Sequence, residues 1–200
     1  MAFFKYGERE LGHLRRCDRR LGAAIDRIGM IEREVNPDFF PALVESMISQ
    51  QISGKAALTV CRRFAELAGV VTPERVASLS TEEIQACGMS FRKAENLRGA
   101  ALALLEKRVD PERFPEMEDQ AVIRELCTLN GVGVWTAEML LLFSLCRPDV
   151  VSQGDFGIRR GMMKLYGVTE LSSDDFRRYR RRYSPYGSVA SFYLWEVGSE

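Results

Sequence analysis

The stretch that decides the fold is residues 126–166, LCTLNGVGVWTAEMLLLFSLCRPDVVSQGDFGIRRGMMKLY. Apolar residues recur at helical spacing on both sides of Asn130-Gly131-Val132-Gly133, which predicts two helices joined by a glycine hairpin. Such a turn points backbone N–H groups outward at a helix start, where they have no intrahelical partner and the helix dipole favours an anion. The hairpin is therefore a candidate phosphate-binding turn, and a plain helix–helix turn is the alternative.

An acidic residue opens the next predicted helix. Asp155 lies 20 residues after Trp135, beyond a connection that contains Pro148 and Gly154, and the helical pattern runs over residues 156–165. An acid beside the first turn of a helix is usually an N-cap, because its oxygen accepts a backbone hydrogen bond there. Taken alone, Asp155 therefore predicts only a helix start.

The order of these parts is more specific than either part alone. The hairpin, Trp135-Thr136-Ala137, a helix, an irregular segment and Asp155-Phe156-Gly157-Ile158-Arg159-Arg160 together resemble the helix-hairpin-helix (HhH-GPD) superfamily of DNA base-excision glycosylases. Within it, the resemblance is to the alkylated-base branch, 3-methyladenine DNA glycosylase II. Residues 49–57 (SQQISGKAA) and 184–190 (SPYGSVA), the latter leading to Tyr193-Leu194-Trp195, extend the similarity over about residues 37–196.

The predicted fold class is all-α. Alternating strand-like stretches are scarce, whereas amphipathic helical stretches recur along the chain, the first over residues 11–28. The resemblance implies two helical lobes with the helix-hairpin-helix motif at their junction and a cleft for DNA and the base between them. The middle lobe would comprise residues 37–146 with the hairpin, and the second lobe residues 1–36 plus 147–200 with the acid.

Composition indicates a soluble globular protein, since 46% of the 200 residues are hydrophobic and 28% are charged. No apolar run reaches the length needed to span a membrane, and the N-terminal MAFFKYGERE lacks the apolar core of a signal peptide. We expect a cytoplasmic monomer without a membrane partner, associated with the nucleoid if the source is bacterial.

The cysteines and the histidine do not form a metal-binding pattern. The five cysteines are scattered, no Cys-x-x-Cys pair exists, and His13 is the single histidine, expected at the surface of a charged helix. Zinc, a disulfide framework and any cofactor for the chemistry are therefore not expected. The four-cysteine iron–sulfur cluster that some superfamily members carry near the C-terminus is not expected either, because no cysteine follows Cys146.

Overall charge does not point to nucleic acid, because the formal net charge is zero and the pI is near 6.6. The arginines are nevertheless clustered, at Arg177, Arg178, Arg180, Arg181 and Arg182. Such a cluster could contact phosphates or form a solvated face, and the sequence leaves both interpretations open.

The resemblance assigns the chemistry to Asp155, which matches the catalytic aspartate of the family. Trp135 stands where strand-cleaving superfamily members carry a nucleophilic lysine, so a monofunctional enzyme is implied. The residues expected to line the base pocket are Trp135, Met139, Phe143, Tyr186 and Trp195. For Trp135, Tyr186 and Trp195, packing in the core is the alternative.

A second set of residues is expected to bind DNA. Gln51 falls where the family places the residue that fills the gap left by a flipped nucleotide, although it could simply be a polar residue ending a helix. The full expected set is Gln51, Ser53, Lys55, Asn130, Gly131, Val132, Gly133, Thr136, Arg159 and Arg160. Main-chain carbonyls of Cys127, Leu129 and Val132 would hold a structural Na⁺ or K⁺ ion at the hairpin, where Asn130 replaces a common proline.

The function predicted from these residues is a monofunctional glycosylase of base-excision repair. It would flip and hydrolytically release alkylated purines, of the 3-methyladenine and 7-methylguanine type, from double-stranded DNA containing damaged bases. One alternative is a non-catalytic helix-hairpin-helix DNA-binding module, against which Asp155 argues because such a module needs no carboxylate near an anionic backbone. Another is a glycosylase for deaminated or oxidised bases, a choice that depends on the pocket.

Overall fold

The computed structural model describes residues 2–200 and is mostly helical, with two short strands, which confirms the all-α fold class. The helices are α1 (Glu8–Cys17), α2 (Arg19–Ile28), α3 (Phe39–Ser49), α4 (Gly54–Ala68), α5 (Pro73–Ser78), α6 (Thr81–Ala86), α7 (Phe91–Leu105), α8 (Asp119–Leu126), α9 (Val134–Phe143), α10 (Phe156–Tyr166), α11 (Ser173–Tyr183) and α12 (Gly187–Ser199). A 3-10 helix covers Pro111–Glu116, and two short strands, β1 (Ala2–Phe3) and β2 (Glu34–Val35), pair antiparallel.

The chain forms two compact units. The discontinuous unit comprises the chain up to Val35 together with Leu141–Glu200, and the continuous unit is Asn36–Leu140. The sequence-based division placed the second boundary after residue 146, whereas the structural boundary lies within α9. The cleft expected between the two lobes stays a prediction.

The discontinuous unit is built around α12, whose residues from Gly187 to Leu194 are all buried. Helix α10 lies directly against it because glycines stand at the contact. A Cβ added at Gly161 would come within 2.0 Å of the Leu194 carbonyl oxygen, and one at Gly198 within 2.8 Å of the Gly157 carbonyl oxygen. The two helix backbones therefore touch, and any larger residue at these positions would push α10 away from α12.

The single N-terminal helix predicted over residues 11–28 is wrong, because the helix is broken at Asp18. This residue is extended, with φ −144° and ψ 107°, and its Oδ1 accepts hydrogen bonds from the N–H groups of Arg20 and Leu21, both at 3.0 Å. Its Oδ2 accepts from the Tyr166 hydroxyl at 2.6 Å and from the Arg182 guanidinium at 3.0 Å. A buried acid with these partners is better satisfied as an N-cap than inside a helix.

The arginine cluster of α11 makes ion pairs within its own unit. Arg177 and Arg178 pair with Asp174 and Asp175 one turn earlier, and Arg182 pairs with the buried Asp18. Arg180 donates to the Asp149 carbonyl oxygen at 3.0 Å. Arg177 and Arg178 thus lie on a solvated face, whereas Arg182 holds the buried Asp18.

The continuous unit packs α3, α5 and α6 around α7, whose alanines and Leu97 are buried. Helices α4 to α7 of this unit begin at side-chain caps. The hydroxyls of Ser53, Thr72, Ser80 and Ser90 each accept a backbone N–H from the first turn that follows. Within residues 2–200, no helix is long and apolar enough to cross a bilayer.

Candidate functional site

The discontinuous unit carries a buried carboxylate at the start of α10. Asp155 is only 8% exposed, and its Oδ1 accepts hydrogen bonds from the Ile158 backbone N–H at 2.8 Å and from the Trp195 indole N–H at 2.9 Å. The first of these bonds is the expected N-cap, and the second had no signal in the sequence. Two N–H donors directed at one oxygen fix the orientation of the carboxyl group.

Trp195 reaches Asp155 because of the close packing of α10 against α12. A Cβ at Gly157 would lie 2.6 Å from Trp195 Cδ1, so the glycine leaves the space that the indole occupies. The indole also stacks on Phe143, with ring centroids 5.8 Å apart and planes 21° from parallel, and on Phe192 at 6.3 Å. These rings fix the indole plane, which in turn fixes the direction of its N–H.

The residues predicted to line a base pocket belong to both units and have different surroundings. Trp195 donates to Asp155 and stacks on Phe143, so its indole has a hydrogen-bonding role beyond core packing, and its place in a base pocket stays a prediction. Tyr186 instead packs edge-on against His13, with ring centroids 5.2 Å apart. On α9, Met139 is buried in the continuous unit, whereas Trp135 is 41% exposed. The exposure of Trp135 argues against the alternative that it packs in the core.

The surface position predicted for His13 is wrong. Its Nε2 lies 2.9 Å from the Ser184 carbonyl oxygen and its ring contacts Tyr186, so the side chain is half-buried. Because a carbonyl only accepts, Nε2 carries a proton in this arrangement. His13 thus ties α1 to the segment that enters α12.

The continuous unit carries the glycine hairpin between α8 and α9. Gly131 has φ +83°, a left-handed conformation that favours glycine, and a Cβ there would lie 2.5 Å from the Asn96 amide nitrogen. Gly133 has neither restriction, since nothing lies within 4 Å of its added Cβ. Asn130, Gly131 and Gly133 are exposed, whereas the Val132 side chain is buried, so Val132 can reach DNA only through its main chain.

Gln50 joins the hairpin to the loop that follows α3, a role that sequence reasoning missed. Its Nε2 donates to the Gly131 carbonyl oxygen at 2.9 Å and to the Thr136 hydroxyl at 3.0 Å. Thr136, predicted to bind DNA, is 3% exposed and its hydroxyl accepts from Gln50. Its side chain therefore supports the hairpin from within, and only its main chain remains available for DNA.

Lys93, at the first turn of α7, was also missed. Its ammonium donates to the carbonyl oxygens of Ile48 and Gln50, at 2.8 and 2.9 Å. The following residue, Gln51, is exposed and has φ +60°, a conformation that costs a non-glycine residue about 1 kcal/mol or more. The consecutive Gln50-Gln51 pair draws attention to this loop, but the sequence gives no sign that Lys93 contacts it.

The remaining predicted DNA contacts have simpler surroundings. Ser53 caps α4 by accepting the Ala56 N–H at 3.3 Å, and Lys55 is exposed in the first turn of that helix. Arg159 donates to the Leu171 carbonyl oxygen at 2.8 Å, and Arg160 is exposed on α10.

The hairpin offers main-chain oxygens of the kind that a monovalent cation takes. Cys127 is the C-cap of α8, where the last helical carbonyls lack intrahelical partners, and the Leu129 carbonyl accepts a hydrogen bond from the Val132 N–H at 3.1 Å. A carbonyl oxygen has two lone pairs, so this donor set fits the expected ion. Among residues 2–200, no group of three His, Cys, Asp or Glu side chains is placed to share a metal ion.

Comparisons with known proteins agree with this arrangement. The family model of HhH-GPD superfamily base excision DNA repair proteins matches residues 44–185. DNA-3-methyladenine glycosylase 1 of Schizosaccharomyces pombe is 30% identical over 79% of this chain and 72% of its own length.

Two solved structures extend the similarity to three dimensions. A DNA-3-methyladenine glycosidase from Bacillus halodurans superimposes with a TM-score of 0.88 at 34% identity, over 99% of this chain and 93% of its own. The S. pombe 3-methyladenine DNA glycosylase in complex with abasic DNA gives 0.83 at 28% identity, over 94% and 95%. With the hairpin and the capped aspartate in the matched region, the chain belongs to the HhH-GPD superfamily of base excision DNA repair proteins.

Proposed function

We propose that the protein is a monofunctional DNA glycosylase that releases alkylated purines, of the 3-methyladenine and 7-methylguanine type, from duplex DNA by hydrolysis. The observation that carries this proposal is the Asp155 carboxylate, buried at the start of α10 and oriented by the Trp195 indole N–H. The names of the relatives, which are 3-methyladenine DNA glycosylases, support the choice of lesion.

The proposed chemistry needs one carboxylate. Breaking the N-glycosidic bond leaves positive charge on the sugar, and a fixed carboxylate in a site with few waters stabilises that charge. An N3- or N7-alkylated purine is already cationic, so it departs as a neutral base without a general acid. Asp155 would face the sugar, stabilise its developing charge and orient the water that completes the hydrolysis. No metal or organic cofactor is required for these steps.

A monofunctional reaction follows from the side chain at position 135. Strand cleavage by a superfamily member uses an amine that attacks the sugar, and the indole of Trp135 has no nucleophilic amine. No lysine stands between Gly131 and Arg147. The exposed face of Trp135 is suited to stacking on an electron-poor alkylated base.

Binding of the duplex is assigned to the hairpin and the loop after α3. The exposed amides around Gly131 and Gly133 would bind a backbone phosphate, with a Na⁺ or K⁺ ion held by the carbonyls of Cys127, Leu129 and Val132. Gln51 would enter the stack where the damaged nucleotide has left it. Exposed Lys55 and Arg160 would add phosphate contacts whose strength falls as salt rises.

The test is base release from duplexes that carry one defined lesion each, followed by alkali to reveal abasic sites. We expect release of 3-methyladenine or 7-methylguanine, intact strands before alkali, and no adduct trapped by borohydride. Release of only uracil, hypoxanthine or 8-oxoguanine would refute the choice of lesion. Efficient borohydride trapping would refute the monofunctional mechanism, and binding without release of any base would leave a DNA-binding module.

A further inference from the structure

The loop between α3 and α4 is held in place by two side chains that the chemistry of Asp155 does not use. We propose that Lys93, together with Gln50, is a positioning residue that holds Gln51 in the conformation required to enter the DNA base stack. This inference rests on the proposed function, since it concerns how the damaged nucleotide is kept out of the helix.

The contacts of Lys93 lie away from its own helix. Ser90 caps α7 by accepting the Lys93 backbone N–H at 3.2 Å, so α7 does not need the ammonium group. The ammonium instead donates to the carbonyl oxygens of Ile48 and Gln50, at 2.8 and 2.9 Å, at the end of α3 where carbonyls lack helical partners. Lys93 therefore caps the C-terminal end of α3 from another helix.

The surroundings of Lys93 make this placement costly. Burial lowers the pKa of the ammonium, and lysine is a residue type that is usually left exposed. The hydrogen bonds to the Ile48 and Gln50 carbonyl oxygens offset the cost of burying the ammonium group. They also hold the backbone that leads into Gln51.

Gln50 is fixed on two sides. Its carbonyl accepts from Lys93, while its side-chain amide donates to the Gly131 carbonyl oxygen at 2.9 Å and to the buried Thr136 hydroxyl at 3.0 Å. The peptide that leads into Gln51 is thus tied both to α7 and to the hairpin. Movement of this peptide would break bonds on both sides.

Gln51 is the residue whose direction these ties control. It is exposed, has φ +60°, and borders two open cavities of about 290 and 440 Å³ in the continuous unit. Because space surrounds its side chain, the backbone sets the direction in which it points. A glycine would relieve the strain at this position but would provide no side chain to fill a gap in a base stack.

A double-mutant cycle tests whether Lys93 acts through Gln51. Wild type, Lys93→Met, Gln51→Ala and the double variant are compared for affinity to a duplex with a stable abasic-site analogue and to the undamaged duplex. Lys93→Met should lose about tenfold in affinity for the abasic duplex, as expected for loss of hydrogen bonds from a charged donor. In the Gln51→Ala background the same change should cost less than about twofold, since the residue it positions is gone.

The remaining arms separate positioning from general stability. Arg113→Met removes one charge from an exposed site in the same unit and should leave both affinities unchanged. Lys93→Arg keeps a donor and should recover part of the loss. If thermal melting shows that Lys93→Met is unfolded, Gln50→Ala takes its place in the double-mutant cycle with Gln51→Ala.

Several results would overturn the inference. One is that Lys93→Met loses equal affinity for the abasic and the undamaged duplex. Another is that the affinity losses of Lys93→Met and Gln51→Ala simply add in the double variant. A third is that the wild type shows no preference for the abasic duplex. The double-mutant cycle measures only DNA affinity, so its result does not depend on whether the protein releases a base. Failure of the wild type to release any base would refute the glycosylase, whereas base release with an additive cycle would refute only the role of Lys93.

Discussion

At the scale of single residues, the site depends on what surrounds Asp155. Asparagine, serine and aspartate all cap helices, so the cap role of Asp155 says nothing about chemistry. The indole of Trp195 is the distinguishing feature, because its N–H fixes the carboxylate from a second helix at 2.9 Å. The sequence names both residues in motifs 40 positions apart, but only the packing of α10 on α12 shows that they touch.

Trp195→Phe tests this contact. The substitution keeps an aromatic ring against Phe143 and Phe192 but removes the N–H that donates to Asp155. Loss of a hydrogen bond to a charged group is worth about 1.5–3 kcal/mol, so single-turnover base release should slow about 10- to 100-fold. Affinity for abasic DNA should change little. Wild-type kinetics with an intact fold would show that the indole does not position the carboxylate.

At the scale of elements, the two hairpin glycines have different reasons to be glycine. Gly131 has a positive φ and lies against Asn96, whereas Gly133 has no such restriction. The sequence presents them as one Gly-x-Gly motif, and a single role was predicted for both. The structure separates a glycine needed for the turn from one that leaves the exposed surface clear.

Gly131→Ala should therefore affect mainly stability, and Gly133→Ala should affect mainly DNA binding. Gly131→Ala is expected to lower the free energy of unfolding by about 1 kcal/mol or more, because alanine is strained there. Gly133→Ala should keep its thermal stability and weaken binding to all duplexes alike, since phosphate contacts do not read sequence. Melting curves and anisotropy titrations with two unrelated duplexes measure both effects. Unchanged affinity of Gly133→Ala would argue against phosphate binding at this surface.

Other elements show where sequence reasoning reaches its limit. Helical periodicity predicted the all-α class, the two helices around the hairpin and the helix after Asp155, because periodicity depends on neighbouring residues. The break at Asp18 was missed because its cause is distant: Tyr166 and Arg182 stabilise the carboxylate from α10 and α11. Gln50 and Lys93 were missed for the same reason, because their partners lie 81 and 45 residues away in the chain.

At the scale of the whole molecule, the residues of the proposed site belong to both units. The discontinuous unit supplies the carboxylate and the aromatic residues that hold it, whereas the continuous unit supplies the hairpin, the loop with Gln51 and the exposed Trp135. Family membership follows from the match over residues 44–185. The central claim that remains to be measured is that Asp155 provides charge for the release of an alkylated base.

The most direct measurement is single-turnover release of 7-methylguanine or 3-methyladenine from duplex DNA by the wild type and Asp155→Asn. Asparagine retains an oxygen that can cap α10 and accept the Trp195 N–H, while the negative charge is removed and the second oxygen becomes an amide nitrogen. Release by Asp155→Asn should be slower by about 100- to 1,000-fold, the range for loss of one electrostatic stabiliser of a transition state. Thermal stability and affinity for abasic DNA should stay close to wild type. Release by Asp155→Asn at a rate near that of the wild type would show that the charge of Asp155 does not drive base release.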